Sequence, residues 1–535
     1  MKKHVVLTAV DKATDRWAIV CRRQYLTWAF GHLDEGDTYL RIRSETVEQV
    51  IERLNGLVVN TGVVRPYDDH AERPKNPAPA HTPHLYLTPK LHKGPDKPVK
   101  FRPILGNPTT PMAPLASVVA CGLQMVVAVF DEVWRDTMLV HAGVHVNRST
   151  ILTNSEELVQ HLEFMNSQHG RKALDLALRY PCSSDFEGLY TNIPQGDLKR
   201  VIACMIRYAH AWMTHDKAEE DDTFDTTMPK SQRGKSGVVR LLLPMHKRKD
   251  KAWRWVKGDV PDAELEGYVL WSEDDFCGHV DTVIDMCYFV FGGELYKMEV
   301  GFPMGIACGP ALADVYLLYY EFTFALRKFK EERETGEQMP RWMLDIIVYL
   351  KRYIDDVFLL TPTGDVPWKD ILWDERSSGG SDGIYPTGLA RNDGTIVDRP
   401  LGLDTDCVGP SIRFLDVEAT LRLGRFVWRL YDKRNEMKIF EGMRKFPHAD
   451  TVLDSGVKSR VLVNEIGRFD RRTSSSRDLR AATLRHCQSF LDHGYSAGLV
   501  SRQVAGYPAS RDMKGNWKES EDFIQRRLKK MRPNE

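Results

Sequence analysis

The chain has 535 residues, of which 42% are hydrophobic and 28% are charged, and its formal net charge is zero. This length suffices for about three or four domains or one large enzyme, and the composition is that of a globular chain rather than a disordered one. The neutral total argues against a protein that simply coats nucleic acid, although a sum of charges hides local patches. The nine cysteines form no C-x-x-C pair, so no zinc site or disulfide framework is indicated, and we expect free thiols in a reducing compartment.

The first 110 residues predict a small mixed segment, a linker and a basic region. Val5–Val10 has the pattern of a strand, and Ser44–Leu54 has helical spacing. Residues 71–83 are rich in proline and polar residues, which indicates a linker. The short strand Leu85–Leu87 then leads into a basic run that consists of Lys90, His92, Lys93, Lys97, Lys100 and Arg102.

Helices are expected next, near 111–135 and 155–180. The apolar stretch Leu115–Phe130 contains polar residues and is too short to span a bilayer, so it indicates a buried helix. Asp185 then ends a polar stretch, just before a turn that contains glycine, and a further helix is expected from about Pro194.

Two stretches have the composition of insertions. Residues 215–260 are first polar and then basic, with ten Lys or Arg residues and one acid, Asp250, between Lys230 and Lys257. A basic arm and a solvated flexible loop are both compatible with this pattern. Residues 361–411 are also rich in loop-forming residues.

Between these insertions, a helix and a strand are expected over 278–300. They lead into the glycine-rich turn Gly301–Pro310 and a long apolar helix from Ala311 to about Phe329. Glycines let a backbone approach a base pair or a phosphate closely, and a helix N-terminus favours anions. Glycine-rich turns are common, however, so this turn is weak evidence alone.

The most informative stretch, Tyr353–Asp356, has the sequence Tyr-Ile-Asp-Asp. The apolar runs Ile346–Tyr349 and Val357–Leu360 flank it, which predicts two buried strands joined by a turn with the acids at its tip. Such strands would hold two carboxylates rigidly, as a divalent metal site for phosphoryl transfer requires. A polar surface turn is the alternative, because aspartate pairs are common in turns.

The C-terminal region predicts strands followed by helices. Ile412–Glu418 and Phe426–Tyr431 alternate like an antiparallel pair. From about residue 440 the pattern is helical, and the chain ends in a basic tail that contains Arg526, Arg527, Lys529, Lys530 and Arg532. Basic segments of this kind can follow a nucleic-acid backbone with salt-dependent affinity.

Three acids form the predicted metal site, namely Asp185, Asp355 and Asp356. Two-metal phosphoryl transfer needs carboxylates from separate strands around two divalent ions about 3.5–4 Å apart, which activate a primer hydroxyl and hold a triphosphate. Because Asp185 and Asp355 are far apart in the sequence, the prediction requires the fold to bring them together.

Further residues predict nucleotide contacts. Tyr190, five residues after Asp185, would lie under the sugar of an incoming nucleotide, where it would clash with a 2′-hydroxyl and favour deoxynucleotides. A core tyrosine at a strand–helix turn is the alternative. Lys90, Lys93 and Arg102 would meet phosphates, Arg through bidentate hydrogen bonds and Lys as a point charge, or they would form an ordinary basic loop.

These motifs occur in the order of a reverse transcriptase palm. The chain resembles the reverse transcriptases of Penelope-like elements, which are related to the telomerase-like reverse transcriptases. The specific blocks are Leu189–Pro194 and the Tyr-Ile-Asp-Asp sequence, which belongs to the block Arg352–Asp356. Supporting blocks, between about residues 5 and 505, are Ala9–Lys12 with Tyr25, Pro89–Lys93, Phe101–Ile104, Pro303–Gly305, Phe414–Val417, Asn464–Arg468 and His493–Tyr495.

The resemblance implies an α+β fold of the right-hand polymerase type, with fingers, a palm built on an antiparallel sheet and a helical thumb. It divides the chain into an N-terminal extension (1–83), fingers (84–180), a palm (181–435, with insertions at about 215–260 and 361–411) and a helical thumb with a basic tail (436–535).

The resemblance also implies roles for single residues. Asp185, Asp355 and Asp356 would be the catalytic ligands of two Mg²⁺ ions, with Mn²⁺ as a substitute. Tyr190 would be the sugar gate. The other nucleotide contacts would be Lys90, Arg102, Met304 and Gly305, and the primer grip would be Phe414, Leu415 and Asp416.

The chain departs from the family pattern at several positions. Met304 stands where many reverse transcriptases have Gln, although Penelope-like enzymes often have Met, and Asn is usual near Asp314, which puts template-side contacts there in doubt. Lys369 is a weak candidate for the general-acid lysine, as the only lysine in the 361–411 insertion. Gly383–Tyr385 spells half of a GIY-YIG endonuclease motif without its partner, so we interpret it as coincidence and expect an endonuclease-lacking form, a domesticated copy or a fragment.

The expected activity is RNA-directed DNA synthesis from dNTPs on a primed RNA or DNA template, without a membrane and with protein partners unknown. An RNA-dependent RNA polymerase is one alternative, but such enzymes usually have a second aspartate where Tyr190 stands. A catalytically weak RNA-binding protein is another, although clustered carboxylates repel each other without metal and so serve no folding purpose. We expect an intracellular protein, in the nucleus rather than the cytoplasm.

Overall fold

The computed structural model describes residues 4–11, 13–34, 38–63, 82–91, 99–106, 110–167, 179–214, 239–244, 253–363, 371–372, 383–386, 388–390, 396–397, 401–432, 446–507 and 515–531. The chain forms two compact units. Unit 1 contains Met1–Ile151, Phe186–Val348 and Pro367–Asp404, and unit 2 contains Leu152–Asp185, Tyr349–Val366 and Thr405–Glu535. The expected division into fingers, palm and thumb stays a prediction.

The strands in chain order are β1 (Val5–Val10), β2 (Ala13–Cys21), β3 (Tyr39–Ile42), β4 (His84–Pro89), β5 (Phe101–Gly106), β6 (Arg179–Glu187), β7 (Val239–Pro244), β8 (Arg254–Lys257), β9 (Tyr268–Trp271), β10 (Tyr288–Phe291), β11 (Glu294–Met298), β12 (Lys351–Tyr353), β13 (Asp356–Pro362), β14 (Leu389–Ala390), β15 (Ile396–Val397), β16 (Gly402–Val408), β17 (Ser411–Phe414), β18 (Val417–Arg422) and β19 (Arg425–Leu430). Their sheets have the orders β1-β2, β3-β11-β10-β4-β5, β12-β13-β6-β16, β14-β15, β17-β18-β19 and β8-β7-β9.

The helices in chain order are α1 (Arg22–Leu33), α2 (Val47–Asn60), α3 (Ala113–Ala142), α4 (Ser155–Asn166), α5 (Leu189–Asn192), α6 (Gln195–Thr214), α7 (Glu273–Asp285), α8 (Gly309–Thr335), α9 (Arg341–Tyr349), α10 (Ser455–Arg471), α11 (Ser476–Asp492), α12 (Ala497–Gly506) and α13 (Gly515–Leu528). The described chain is therefore a mixture of helices and mainly antiparallel sheets, as expected for an α+β protein.

In unit 1, the N-terminal hairpin packs on the five-stranded sheet. The hydroxyl of Tyr25 accepts a hydrogen bond from the backbone N–H of Leu87 at 2.8 Å, and Thr8 Oγ1 donates to the Leu87 carbonyl at 2.7 Å. The shared core contains Ala29, Leu33 and Phe289. These contacts position the strand that ends just before Lys90.

Helix α3 confirms the expected buried helix, since most residues from Leu115 to Phe130 are buried. Of the helices in the described ranges, α3 is the one long and apolar enough to cross a membrane by length and composition. Phe130 packs against Phe322 of α8 with ring centroids 5.5 Å apart, and against Tyr208 of α6 at 5.2 Å. The core helix of a soluble protein meets the same criterion, so this finding is weak evidence for a membrane span.

Two strand predictions near the site are wrong in detail. Ile346–Tyr349 is the last turn of helix α9, so the upstream arm of the hairpin is only the three-residue strand β12. A short apolar run fits a buried helix end as well as a strand, and periodicity cannot separate them. Ile412–Glu418 is not one strand, because the chain reverses between Phe414 and Val417 and forms the β17–β18 hairpin.

The basic insertion is also more ordered than a loop in the parts that are described. β7 pairs with both β8 and β9 in a three-stranded antiparallel sheet, and Leu241 and Leu243 are fully buried in it. Residues 215–238 and 245–252 of the insertion lie outside the described chain, as do 168–178 of the predicted helix 155–180.

The C-terminal helices α10 to α13 surround a core of their own in unit 2. Among its fully buried side chains are Leu462, Ile466, Leu479, Phe490, Val500, Val504, Trp517 and Ile524. The expected helical character is thus confirmed from Ser455 onward, whereas the described residues 446–454 form turns and bends.

Candidate active site

The three predicted acids meet at one end of the β12-β13-β6-β16 sheet. β13 pairs with β6 in antiparallel register, which places Asp356 directly opposite Asp185. β12 and β13 form a hairpin in which Tyr353 pairs with Asp356, so Asp355 lies in the turn. Carboxylate oxygens of Asp185, Asp355 and Asp356 all lie within 4.8 Å of one another, and each side chain is half-buried. The expected convergence of these acids is therefore present in the structure.

The donor set fits a divalent cation such as Mg²⁺. Carboxylate oxygens are the hard ligands that Mg²⁺ prefers, and the half-buried position leaves room for water and phosphate oxygens. Within the ranges that the structure describes, this is the one group of three or more His, Cys, Asp or Glu side chains placed to share an ion. The three carboxylates would hold the metal from two neighbouring strands.

The hairpin turn is strained and is held by a buried arginine. Ile354 has φ of 56°, in the left-handed region that a β-branched residue adopts at a cost of roughly 1–3 kcal/mol. The guanidinium of Arg352 is fully buried, and its Nη1 donates to the Ile354 carbonyl at 3.0 Å. The Arg352 carbonyl in turn accepts from the N–H of Leu152 at 2.7 Å. The buried positive charge also offsets the mutual repulsion of nearby carboxylates.

The buried His161 packs against the β12–β13 hairpin and is neutral. His161 Nε2 donates to the Tyr349 carbonyl at 3.3 Å, and its ring meets Phe358 of β13 edge-on, with centroids 6.1 Å apart. Burial, together with the charge of Lys351, lowers the pKa of His161 well below its usual value. His161 is therefore uncharged at neutral pH and serves as a packing residue.

In unit 1, the predicted sugar gate and the glycine-rich turn pack on each other. Phe302 N–H donates to the Tyr190 carbonyl at 2.8 Å, and Gly301 N–H donates to the Ile193 carbonyl at 2.7 Å. A Cβ at Gly301 would lie 2.1 Å from the Tyr190 carbonyl oxygen, and Gly301 has φ of 73°. Position 301 thus accommodates only glycine, which explains the glycine in terms of backbone contact rather than ligand contact.

The same turn also contacts the strand that carries Arg102. A Cβ at Gly305 would lie 2.2 Å from the Leu105 carbonyl oxygen of β5. The ring of Tyr190 is half-buried and packs edge-to-face on Phe302 with centroids 5.1 Å apart. Unit 1 therefore gathers Tyr190, the half-buried Met304 and Gly305, and strand β5 into one region.

The predicted phosphate contacts have other partners in this structure. Arg102 Nη1 lies 3.3 Å from Oδ1 of Asp11, whose side chain is buried, so the two resemblance blocks that contain these residues form an ion pair. Lys90 is half-buried, and its backbone N–H donates to the Lys100 carbonyl at 2.8 Å. Their role in binding phosphate stays a prediction, and His92, Lys93 and Lys97 lie outside the described residues.

The predicted primer grip is the turn of the β17–β18 hairpin. Phe414 is buried and its ring centroid lies 6.0 Å from that of Phe358 on the catalytic strand β13. Leu415 has φ of 55°, so this turn also contains a strained residue. Asp416 Oδ2 accepts from Arg468 Nε at 3.0 Å and Nη2 at 2.5 Å, and lies 3.5 Å from Arg472 Nη1. Asp416 thus joins the turn to helix α10.

Two arginines with clear structural roles were not singled out by the sequence analysis. Arg352 and Arg468 stand in blocks that resemble the family, but no role was assigned to them. Arg352 could have been noticed as a charged residue beside a strand that was predicted to be buried. A third arginine, Arg472, also lies beside Asp416. Burial lowers the pKa of Arg472, and the nearby carboxylate of Asp416 offsets part of this effect.

The structure also shows the surroundings of Asp314 and Tyr385, two positions that the sequence analysis discussed as departures from the family pattern. Asp314 is half-buried on α8. Tyr385 of the Gly-Ile-Tyr sequence is fully buried, and its hydroxyl donates to Glu321 Oε1 at 3.1 Å, which is the environment of a core residue. Lys369 lies outside the described residues.

No protein-family model matches the chain, and no curated protein matches it. Among solved structures, it is similar to apo telomerase from Candida tropicalis at 10% identity and a TM-score of 0.45, over 98% of this chain and 70% of that chain. It is also similar to telomerase from Candida albicans in complex with the TWJ fragment of telomeric RNA, at 10% identity and a TM-score of 0.45, over 100% of this chain and 75% of that chain. The corresponding RNA complex from Candida tropicalis gives 10% identity and a TM-score of 0.44, over 98% and 71%. At this level the likeness does not assign a family.

Replacing Arg352 should loosen the turn that presents the acids. R352M removes the donor to the Ile354 carbonyl, so we expect a loss of about 1–3 kcal/mol in the free energy of unfolding. We also expect a higher Mg²⁺ concentration for half-maximal protection against thermal unfolding. R352K, which keeps the charge, should recover part of both effects. A destabilised R352M with unchanged Mg²⁺ dependence would show that Arg352 supports the fold without positioning the acids.

The Asp416–Arg468 pair should be coupled energetically. A double-mutant cycle with D416N and R468Q, followed by urea unfolding, should give a coupling energy of at least about 1 kcal/mol, because two guanidinium nitrogens donate to Asp416 Oδ2 and the pair is three-quarters buried. The exposed pair Arg41–Glu294, at 2.7 Å, is the control and should give less than about 0.5 kcal/mol. Equal coupling energies in the two cycles would contradict the assignment of Asp416 as a structural link.

Proposed function

We propose that the protein is an RNA-directed DNA polymerase, which adds dNTPs to a primer 3′-hydroxyl under the direction of a template. The observation that carries the proposal is the register of β6 and β13, which sets Asp185 opposite Asp356 beside the turn that holds Asp355. Folding alone gives no reason to gather three like charges, whereas two-metal phosphoryl transfer needs this arrangement.

The three acids would hold two Mg²⁺ ions, or Mn²⁺ in their place. When bound, the ions supply activation of the primer hydroxyl and neutralisation of charge on the triphosphate. The rigid β12–β13 hairpin fixes Asp355 and Asp356, so little reorganisation is needed at the moment of reaction. Tyr190 would exclude a 2′-hydroxyl, and Lys90, Arg102, Met304 and Gly305 would contact the nucleotide.

The proposal extends to family and layout. We infer a reverse transcriptase of the Penelope-like type without an endonuclease, with fingers, palm and helical thumb in the right-hand arrangement and with Phe414, Leu415 and Asp416 as the primer grip. The partners would be a primed RNA or DNA template and dNTPs, and the site of action the nucleus. Two alternative functions are an RNA-dependent RNA polymerase and a catalytically weak RNA-binding protein. The following experiments distinguish both from the proposed activity.

Primer extension should require the acids. With Mg²⁺, a labelled primer–template and dNTPs, the wild-type chain should extend the primer, while D355N and D356N should reduce the rate by at least about a thousandfold. Matched RNA and DNA templates should show which template is preferred. D450N, which removes an exposed carboxylate of the same unit, is the control and should retain full activity.

Binding of the primer–template shows whether the three acids act in catalysis alone or also in binding of the nucleic acid. D355N and D356N should bind it as tightly as wild type does, because the acids hold metal rather than the duplex backbone. If the chain extends the primer with rNTPs but not with dNTPs, it is an RNA polymerase. If it binds the primer–template but extends it with neither, it is an RNA-binding protein. Either result would exclude the proposed activity.

Replacing Tyr190 should relax the choice of sugar. Y190A removes the ring, so incorporation of rNTPs relative to dNTPs should rise by at least about tenfold, which corresponds to roughly 1.4 kcal/mol of discrimination. Y190F keeps the ring and its packing on Phe302, and should discriminate like wild type. Unchanged discrimination in a folded Y190A would leave Tyr190 with only its packing role.

A further inference from the structure

The three-stranded sheet β17-β18-β19 in unit 2 has one buried and one open face. Alternation places Ile412, Phe414, Val417, Ala419, Phe426 and Trp428 on the buried face. The pairing register aligns Ser411 with Thr420 and Val427, Arg413 with Glu418 and Arg429, and Arg422 with Arg425 on the opposite face. We call this second set of residues the open sheet face.

The open sheet face is strongly basic, although the whole chain is neutral. Its strands carry four arginines, at positions 413, 422, 425 and 429, against one acid, Glu418, and Asp478 of helix α11 lies near Arg429 at one side of the face. Arg429 donates to Glu418 at 2.6 Å, so that pair is neutralised. Arg413 lies over the ring of Tyr431, with its guanidinium carbon 4.5 Å from the ring centroid, and stays exposed.

Arg422 and Arg425 are the informative pair. They are exposed, lie directly opposite each other across the hairpin, and neither forms an ion pair with another described residue. Like charges in this position destabilise a sheet, so the pair does not serve folding. Between them, Leu423 has φ of 49° and is fully exposed, which leaves the tip of the hairpin open to a partner.

We propose that the open sheet face binds the phosphate backbone of a nucleic acid. A backbone of regularly spaced phosphates is the ligand that a flat array of arginines complements, because each guanidinium can donate two hydrogen bonds to phosphate oxygens. The hydroxyls of Ser411 and Thr420 on the same face hydrogen-bond to each other at 2.9 Å, which leaves one of them as a neutral donor for phosphate. This inference deepens the proposed function by naming a second contact surface for its template or primer, on residues outside the acid site.

The experiment measures binding rather than synthesis. The full chain is titrated into a fluorescently labelled primer–template duplex and a labelled single strand, without dNTPs, over a series of salt concentrations. R422Q/R425Q should weaken binding of one of these ligands by about five- to tenfold at 0.1 M salt, and should lower the slope of log K against log salt by roughly 1.4–1.8. R22Q/R23Q removes two exposed arginines from helix α1 and is the control, which should change neither.

Folding does not confound this comparison, because removing two opposed like charges should leave the midpoint of thermal unfolding unchanged or raise it. Equal affinities and salt slopes in the two double variants would overturn the proposal. So would a defect of R422Q/R425Q that is confined to binding of vesicles containing anionic lipid. Because no catalysis is measured, a chain that fails to extend primers but shows the expected binding defect would reject the proposed function and keep this inference.

Discussion

The antiparallel pairing of β6 with β13 is the constraint on which the candidate site depends. It places Asp185 and Asp356 side by side and leaves Asp355 in the adjoining turn. Three carboxylates so close together repel one another, so the fold must hold them against that repulsion. The fully buried residues Val357 to Leu360 of β13 supply the rigidity, and Arg352 supplies both a hydrogen bond to the turn and a buried positive charge.

Unit 2 connects this site to the C-terminal helices through a short chain of contacts. Phe358 of the catalytic strand packs on Phe414, and the next turn places Asp416 on Arg468 and Arg472 of the helical region. Strand β19 is also held by hydrogen bonds along its edge. The Asn166 side chain forms two hydrogen bonds with the backbone of Phe426, and Ser474 forms two with the backbone of Trp428. Side chains thus cover an edge that would otherwise present unpaired backbone groups. In this arrangement one face of the β17-β18-β19 sheet is buried, and the arginines lie exposed on the other face.

Unit 1 uses a different device, the close approach of backbones. Gly301 lies against the carbonyl of Tyr190, and Gly305 lies against the carbonyl of Leu105, at distances that a side chain would not permit. Three motifs that are far apart in the sequence thereby become one region. Contact between backbones thus explains Gly301 and Gly305 without any contact to a ligand.

The sequence alone determined the identity of the three acids, the buried helix α3, the strand β1 and the helical C-terminal region, because each has a strong local pattern of polarity or spacing. It did not determine that Ile346–Tyr349 is helical or that the chain turns between Phe414 and Val417, since short apolar runs satisfy both periodicities. Only the tertiary structure decided that Arg352 supports the Asp-Asp turn, that Asp416 pairs with Arg468, and that the arginines of β17, β18 and β19 share one face. The physical reason is that these relations depend on strand register and on contacts between distant segments, and a register shift of one residue would move every side chain to the opposite face.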